Sequence, residues 1–363
     1  MRRALLAVAL VTVLAACSDE PDNAPSDRTR TGTPEATPSS AGIEAADLVT
    51  DLTSPWGLVV LDDGSLLVTE RDTRQIKLIP TDAPAEPQVV ATIEDAVPSG
   101  EGGLLGLAAS PDEEEVFAYY TSAEDNRIVA MAWDGTSLGE PEVIFDGIPH
   151  GGGSRHEGGR LVVGPDDLLY VSTGETGSTP DIAQDPDSLG GKILRLTLEG
   201  EPAPGNPFGT AVYSLGHRNV EGLAFDDDGR LWASEFGDSD WDELNLIEPG
   251  GNYGWPEVEG SGGRDEYLDP VAVWRTDDAS PSGLSYWDGS LWMAGLRGER
   301  LWEIPIEGPD ADEPVPHLAG EYGRLRTVEV NADGSGLLLV TSNTDGRGEP
   351  TEGDDRILTV TRR

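Results

Sequence analysis

A chain of 363 residues suits two average domains or one large β architecture, and 46 glycines with 27 prolines favour many short strands and turns. The formal net charge of −44 argues against nucleic acid as a partner and disfavours an anionic membrane surface, because both require a basic face. Lys77 and Lys192 are the only lysines, so clustered arginines mark where an anionic ligand would be received.

The chain opens on Met1-Arg2-Arg3, an apolar run from Ala4 to Val13, and Leu14-Ala-Ala-Cys17. The run is short for a membrane span, and its flanks fit a secretory signal. Small residues before Cys17 look like a bacterial lipobox; a signal peptide with a chance cysteine is the bland alternative. The expected organisation is a signal peptide over 1–16 and a lipidated Cys17 heading a tether to residue 47. The protein is then exported and held on the outer side of the cell membrane through its lipid alone. A single cysteine also excludes an internal disulfide framework and cysteine-built zinc sites. Ser18 to about Ala46 has almost no large apolar residues and cannot bury a core, so the folded part is expected over 48–363.

From there one pattern recurs: a turn with Asp or Gly, then an alternating apolar strand, a polar break and often a second strand. Its copies begin at Asp63, Pro111, Pro165, Asp228, Asp288 and Asp333. Further strands follow at Gln75–Ile79, Arg127–Ala130, Lys192–Leu196, Arg300–Ile304 and Arg356–Val360. The spacing of ~45–60 residues is that of four-stranded propeller blades with loop insertions. Six copies predict an all-β fold, a six-bladed β-propeller of four-stranded antiparallel blades; a sandwich or two smaller β-domains fits the period poorly.

Polar residues collect in the loops. Glu101 follows Ser99-Gly100, Arg155 and His156 stand between two glycine clusters, and Glu175 ends Ser172-Thr-Gly-Glu. Gly216-His-Arg218-Asn219, Phe236-Gly237-Asp238 with Asp242 and Glu243, Arg297, and Arg324-Leu-Arg326 come later. Taken alone, a loop histidine is most often an ordinary turn residue, and acidic runs such as Glu113–Glu115 are solvated. Asp238 to Glu243 lacks the spacing of an EF-hand. No Rossmann fingerprint, nucleophile elbow or His-Glu-x-x-His is present. A histidine, carboxylates, arginines and an oxygen-rich loop on one propeller face suit an anionic cofactor, a hard divalent cation and proton abstraction.

Several segments, in order, resemble the soluble quinoprotein glucose dehydrogenases and aldose sugar dehydrogenases, the glucose/sorbosone dehydrogenase family. They include Pro55-Trp-Gly-Leu58, Gly102-Gly-Leu-Leu-Gly-Leu107, His156-Glu-Gly-Gly-Arg-Leu161, Leu189-Gly-Gly-Lys-Ile-Leu-Arg195, Gly216-His-Arg-Asn219, Gly251-Asn-Tyr-Gly-Trp-Pro256 and Arg324-Leu-Arg326. The resemblance implies a six-bladed propeller that uses pyrroloquinoline quinone (PQQ) and Ca²⁺. It implies oxidation of an aldose at C1 to its lactone, with hydride passing to the quinone and electrons to an acceptor the sequence does not name. By resemblance, His156 is the general base, and Glu101, Arg218, Asn219, Arg297, Arg324 and Arg326 contact the cofactor. Glu175 faces the substrate. Gly237 and Asp238 hold the calcium beside PQQ, while Glu243 and the Tyr253 carbonyl hold a structural calcium. Two rival readings are a non-catalytic calcium-bearing propeller that binds a sugar or partner, and a lactonase-type hydrolase.

Overall fold

A computed structural model describes residues 42–151 and 155–363. The expected signal peptide, Cys17 and the tether up to residue 41 lie outside the described residues.

Six antiparallel sheets follow one another along the chain. The first blade is Pro55–Val60, Leu66–Glu70, Gln75–Ile79 and Gln88–Thr92, ordered as written. The second to fourth repeat this order from inner strands Leu104–Ala109, Leu161–Val163 and Val220–Phe225. The fifth starts at Pro281–Trp287, and its third strand also pairs with Val315–His317. The sixth takes Leu325–Val330, Leu337–Thr341 and Ile357–Arg362 from the C-terminal end and its outer strand, Ile43–Val49, from the start of the fold. Residues 43–47, assigned from sequence to the tether, therefore belong to the propeller. Their weak apolar character is what an outer strand needs, since only Ile43 and Val49 are buried. Pairing Ile43 with Arg362 closes the ring by joining the first strand of the described fold to the last.

The core lies between blades. Six hydrophobic clusters each fill one blade-to-blade interface, as where Leu67 and Ile76 meet Leu104 and Val116, or Leu301 and Trp292 meet Leu337 and Leu358. Middle strands are consequently buried on both faces; every residue of Leu66–Glu70 is covered. The alternation expected from sequence is therefore not what burial follows: the middle strands are covered on both faces and tolerate near-continuous apolar runs such as Leu66-Leu67-Val68.

The inner strands pack around the axis through glycine. Gly57, Gly106, Gly222 and Gly283 stand at one equivalent position, each followed by leucine. A Cβ on Gly106 would lie 2.1 Å from the carbonyl oxygen of Gly159, and one on Gly222 2.3 Å from that of Ser282. The pairing register slips at this point in the inner strands of the first, second, fourth, fifth and sixth blades. A bulge re-aims side chains, and it turns the preceding residue toward the axis. Because the obstacle is backbone that belongs to the next blade, Gly106→Ala should destabilise the fold by ~3 kcal/mol, the upper range for overpacking. A lowered midpoint of denaturant unfolding measures it; an unchanged midpoint would mean that the blades can move apart freely.

Candidate functional site

In an antiparallel meander, the start of each inner strand and the turn between the second and third strands emerge on the same face. The chain places its polar residues there. Glu101, His156, Arg218 with Asn219, Ser280 and Arg324 precede inner strands; Phe236–Asp238, Arg297 and Arg347 lie in second-to-third turns. They surround a cavity of about 500 Å³ over the axis, floored by Trp56, Leu105, Glu221 and Arg326 from the bulged positions. This is the size of a small-molecule site.

His156 is the only one of the four histidines to line the cavity. His217, by contrast, is fully buried between the Ser214 hydroxyl (2.9 Å) and Glu235 (2.8 Å). The His156 backbone has φ +56°, a left-handed conformation uncommon outside glycine. It is held from several sides. Its N–H donates to Glu101 Oε2 at 2.7 Å, and the Gly158 N–H two residues on donates to the Asn219 side chain at 3.0 Å. A Cβ on Gly174 would strike the His156 carbonyl at 1.9 Å, so glycine is required there. The Nδ1 atom lies 2.5 Å from Glu175 Oε1, which is buried behind the ring. An ionised carboxylate only accepts, so the proton sits on Nδ1 and Nε2 keeps its lone pair. Among the described residues Nε2 has no partner, which leaves it for a ligand in the cavity. Glu175 thus corrects the sequence expectation: it orients the histidine and does not form the cavity wall.

The electrostatics of this cavity are exceptional for the chain. Arg155, Arg218, Arg297, Arg324, Arg326 and Arg347 line it, six of the chain's 24 Lys and Arg. Its acids are Glu101, Glu157, Glu221, Asp238 and Asp242, five of 68. Burial moreover pushes Glu157 up to about 7 and Asp242 up to about 6. The inner arginines are pinned by carboxylates: Arg326 to Glu221 at 2.6 Å, Arg324 to Asp345 at 2.9 Å, and Arg218 to Asp238 at 3.0 Å. Burial alone would raise Asp345, but Arg326 and Arg324 outweigh it and hold the carboxyl below its ordinary range. Among the described residues the buried Nε atoms of Arg218 and Arg326 have no hydrogen-bond partner. Orphaned guanidinium donors are costly in a dry site, and a polyanion would satisfy them. The donor set fits a cofactor bearing several carboxylates.

A hard cation also finds suitable oxygens. The backbone N–H groups of Asp238, Ser239, Asp240 and Trp241 all donate to Glu259 Oε1, at 2.8–3.0 Å. In trans peptides the carbonyls of Gly237 to Asp240 then face away from that carboxylate. Gly237 must be glycine, since a Cβ would lie 1.8 Å from the Trp241 carbonyl. Nearby, Glu243 and Tyr253 line a second, much smaller cavity together with Glu235. Burial and the adjacent Glu235 push Glu243 up to about 8, and among the described residues the buried Asn245 Oδ1 has no partner. Both places fit an oxygen-seeking cation such as Ca²⁺. Among the described residues no group of three His, Cys, Asp or Glu side chains is arranged around a metal, so such an ion would draw on backbone oxygens.

Of the residues expected from sequence, Glu101, His156, Arg218, Asn219, Gly237, Asp238, Arg297, Arg324 and Arg326 meet at this one cavity. Glu101 has a specific job besides: it bridges the His156 N–H and Arg347, at 2.7 and 2.8 Å. Arg297 stands at the rim, paired with Asp277 across water-exposed side chains. Asp242 and Glu243, read as loop residues, lie on the strand Trp241–Ile247. Sequence reasoning missed Glu221, Asp345, Arg347 and the floor residue Trp56, over which the Arg160 and Arg326 guanidinium groups stack at 4.3 and 5.6 Å. The recurrent Gly-Leu pair marks the floor positions Trp56, Leu105 and Glu221 in the sequence, whereas Arg326 precedes Thr327-Val328; the partnerships have no local signal.

A six-bladed propeller whose axial cavity joins a carboxylate-oriented histidine to an arginine cluster has the parts of an enzyme that takes a proton from a ligand beside a bound anion. The chain matches the Glucose / Sorbosone dehydrogenase family model over residues 52–350 and belongs to that family, a family of oxidoreductases. Among solved structures it is similar to the PQQ-bound aldose sugar dehydrogenase of Streptomyces coelicolor, with 54% identity and a TM-score of 0.85 over 90% of this chain and 100% of that one. It is 27% identical to the aldose sugar dehydrogenase of Escherichia coli, covering 86% of this chain and 92% of the relative. With quinoprotein glucose dehydrogenase B of Acinetobacter calcoaceticus it shares 31% identity, over 71% of this chain and 60% of that protein.

Proposed function

We propose that this protein uses PQQ and Ca²⁺ to oxidise aldoses at C1 to the corresponding lactones. The observation that carries the reading is a histidine with a free Nε2, backed by a buried carboxylate, facing a cavity that gathers a quarter of the chain's cations. When bound, PQQ supplies a two-electron acceptor, and Ca²⁺ beside it a Lewis acid. Arg324, Arg326 and Arg218 would hold its carboxylates, with Asn219 fixing the backbone beside the base and the carbonyls of Gly237 and Asp238 taking the ion. His156 Nε2 takes the proton from O1 of the sugar while Glu175 stabilises the imidazolium so formed. Trp56 and Leu105 lay apolar surface beside the charged groups of the floor, which lowers the local dielectric and strengthens these electrostatic contacts. A lipid on Cys17 would keep the enzyme on the outer membrane face, where a separate electron acceptor reoxidises it.

The test is direct. The mature chain is purified, titrated with PQQ and Ca²⁺, and assayed by dye reduction with glucose, galactose, xylose and maltose. We expect saturable PQQ binding and turnover of several of these sugars, with turnover lost on chelation and restored by Ca²⁺. Absence of both PQQ binding and aldose-dependent reduction would refute the proposal.

A further inference from the structure

Arg155 stands apart from the other five cavity arginines. It is exposed at the mouth of the cavity, and among the described residues its guanidinium has no hydrogen-bond or ion-pair partner. The other five are each matched to a carboxylate: Asp238, Asp277, Asp345, Glu221 and Glu101. Arg155 also directly precedes the histidine that faces the ligand. Glycine keeps the space beside both residues clear, since a Cβ on Gly177 would lie 3.0 Å from Arg155 Cβ and 3.5 Å from His156 Nδ1.

An uncommitted cation beside the base is chemically pointed in a chain of net charge −44, whose long-range field repels anions. Arg155 and His156 line the same cavity, so a sugar whose O1 faces Nε2 shares that space with the Arg155 side chain. We propose that Arg155 is a substrate-specificity residue and that the preferred substrates are aldoses carrying a carboxylate, the hexuronic acids. The inference rests on the dehydrogenase reading and deepens it. The chemistry is the same two-electron oxidation. Bound PQQ would accept the electron pair of the C1–H bond, the O1 proton goes to His156 Nε2, and the product is the lactone of an aldaric acid. Arg155 pairs with the C6 carboxylate, which takes no part in the redox step.

The holoprotein, loaded with PQQ and Ca²⁺, is assayed with D-glucuronate against D-glucose and D-galacturonate against D-galactose. We expect each uronate to have the higher kcat/KM, and its advantage to shrink as ionic strength rises. Arg155→Gln should lower uronate kcat/KM about 10–100-fold, mainly through KM, and change the neutral sugars less than about threefold, as for loss of one charge-assisted contact. Arg155→Lys should restore part of the preference. The same variant series is titrated with galacturonate and galactose by calorimetry. This reads the preference even if no sugar is turned over, a result that would count against the dehydrogenase reading alone. Three outcomes overturn the inference: uronates bound and oxidised no better than their parent sugars, an Arg155→Gln effect equal for both classes, or an Arg155→Gln loss confined to PQQ affinity.

Discussion

Glu175→Gln is expected to lower kcat by about 10²–10⁴-fold while PQQ still binds, an effect on the scale of losing a general base. The reason is the tautomer. The Glu175 carboxylate can only accept, so its 2.5 Å contact fixes the proton on Nδ1 of His156. A glutamine amide can turn its NH₂ toward Nδ1, which places the imidazole proton on Nε2. The nitrogen that must take a proton then already holds one. The size of the side chain is unchanged, and Glu175 is buried away from the cavity wall, so cofactor affinity has no reason to fall. His156→Ala should remove turnover to at least the same extent. Combining the two should add little, because the residues act as a unit. Dye-reduction kinetics give kcat and an absorbance titration gives PQQ affinity. A Glu175→Gln enzyme within about threefold of the wild-type kcat would show that this contact does not set the base.

The same contact shows where sequence reading stops. The Asp-Gly and Pro-Asp turns that reveal the repeat join first to second strands, so they lie on the face opposite the cavity. They made the six blades legible because each is a local signal tied to a hairpin. The residues over the axis announce themselves only as polar outliers in glycine-rich loops. Glu175 was visible as such an outlier, but its direction, toward the ring and not toward the sugar, depends on how the second strand of its blade meets the loop that enters the same blade. Glu221 is harder still, since its partner Arg326 is 105 residues away and two blades round the ring. The outer strand Ile43–Val49 escaped for a related reason. Its pairing partner is the strand Ile357–Arg362, and nothing within seven residues of which only Ile43 and Val49 are buried records that. The blade-to-blade core, by contrast, was implicit in the apolar runs, even though their burial on both faces was not.

That long-range pairing leads to the largest expected effect on stability. Arg326 is buried over Trp56, with Nη1 at 2.6 Å from Glu221 Oε2, and the same oxygen accepts from the Ser282 hydroxyl at 3.0 Å. Burial pulls the Arg326 guanidinium down from its ordinary range, while Glu221 and Asp345 hold it charged. Breaking such a pair from one side leaves an uncompensated charge in a dry floor. Arg326→Leu should therefore destabilise the cofactor-free protein by ~3–5 kcal/mol, which lowers Tm by on the order of 10 °C in a domain of this size. Glu221→Gln should cost less, because Asp345 still lies 3.7 Å from Arg326 and glutamine can still accept from Ser282. The informative variant is the double change Arg326→Leu with Glu221→Gln. Removing both charges takes away the desolvation cost along with the attraction, so much of the lost stability should return. PQQ affinity should not return with it, since the orphaned Arg326 Nε donor is gone in either case. Denaturant unfolding of the apoprotein and PQQ titration of the same samples separate the two. If the double variant regains both stability and PQQ affinity, Arg326 serves the propeller floor and not the cofactor. If the single variant unfolds within about 1 kcal/mol of wild type, the floor is wet enough to solvate Glu221 by itself.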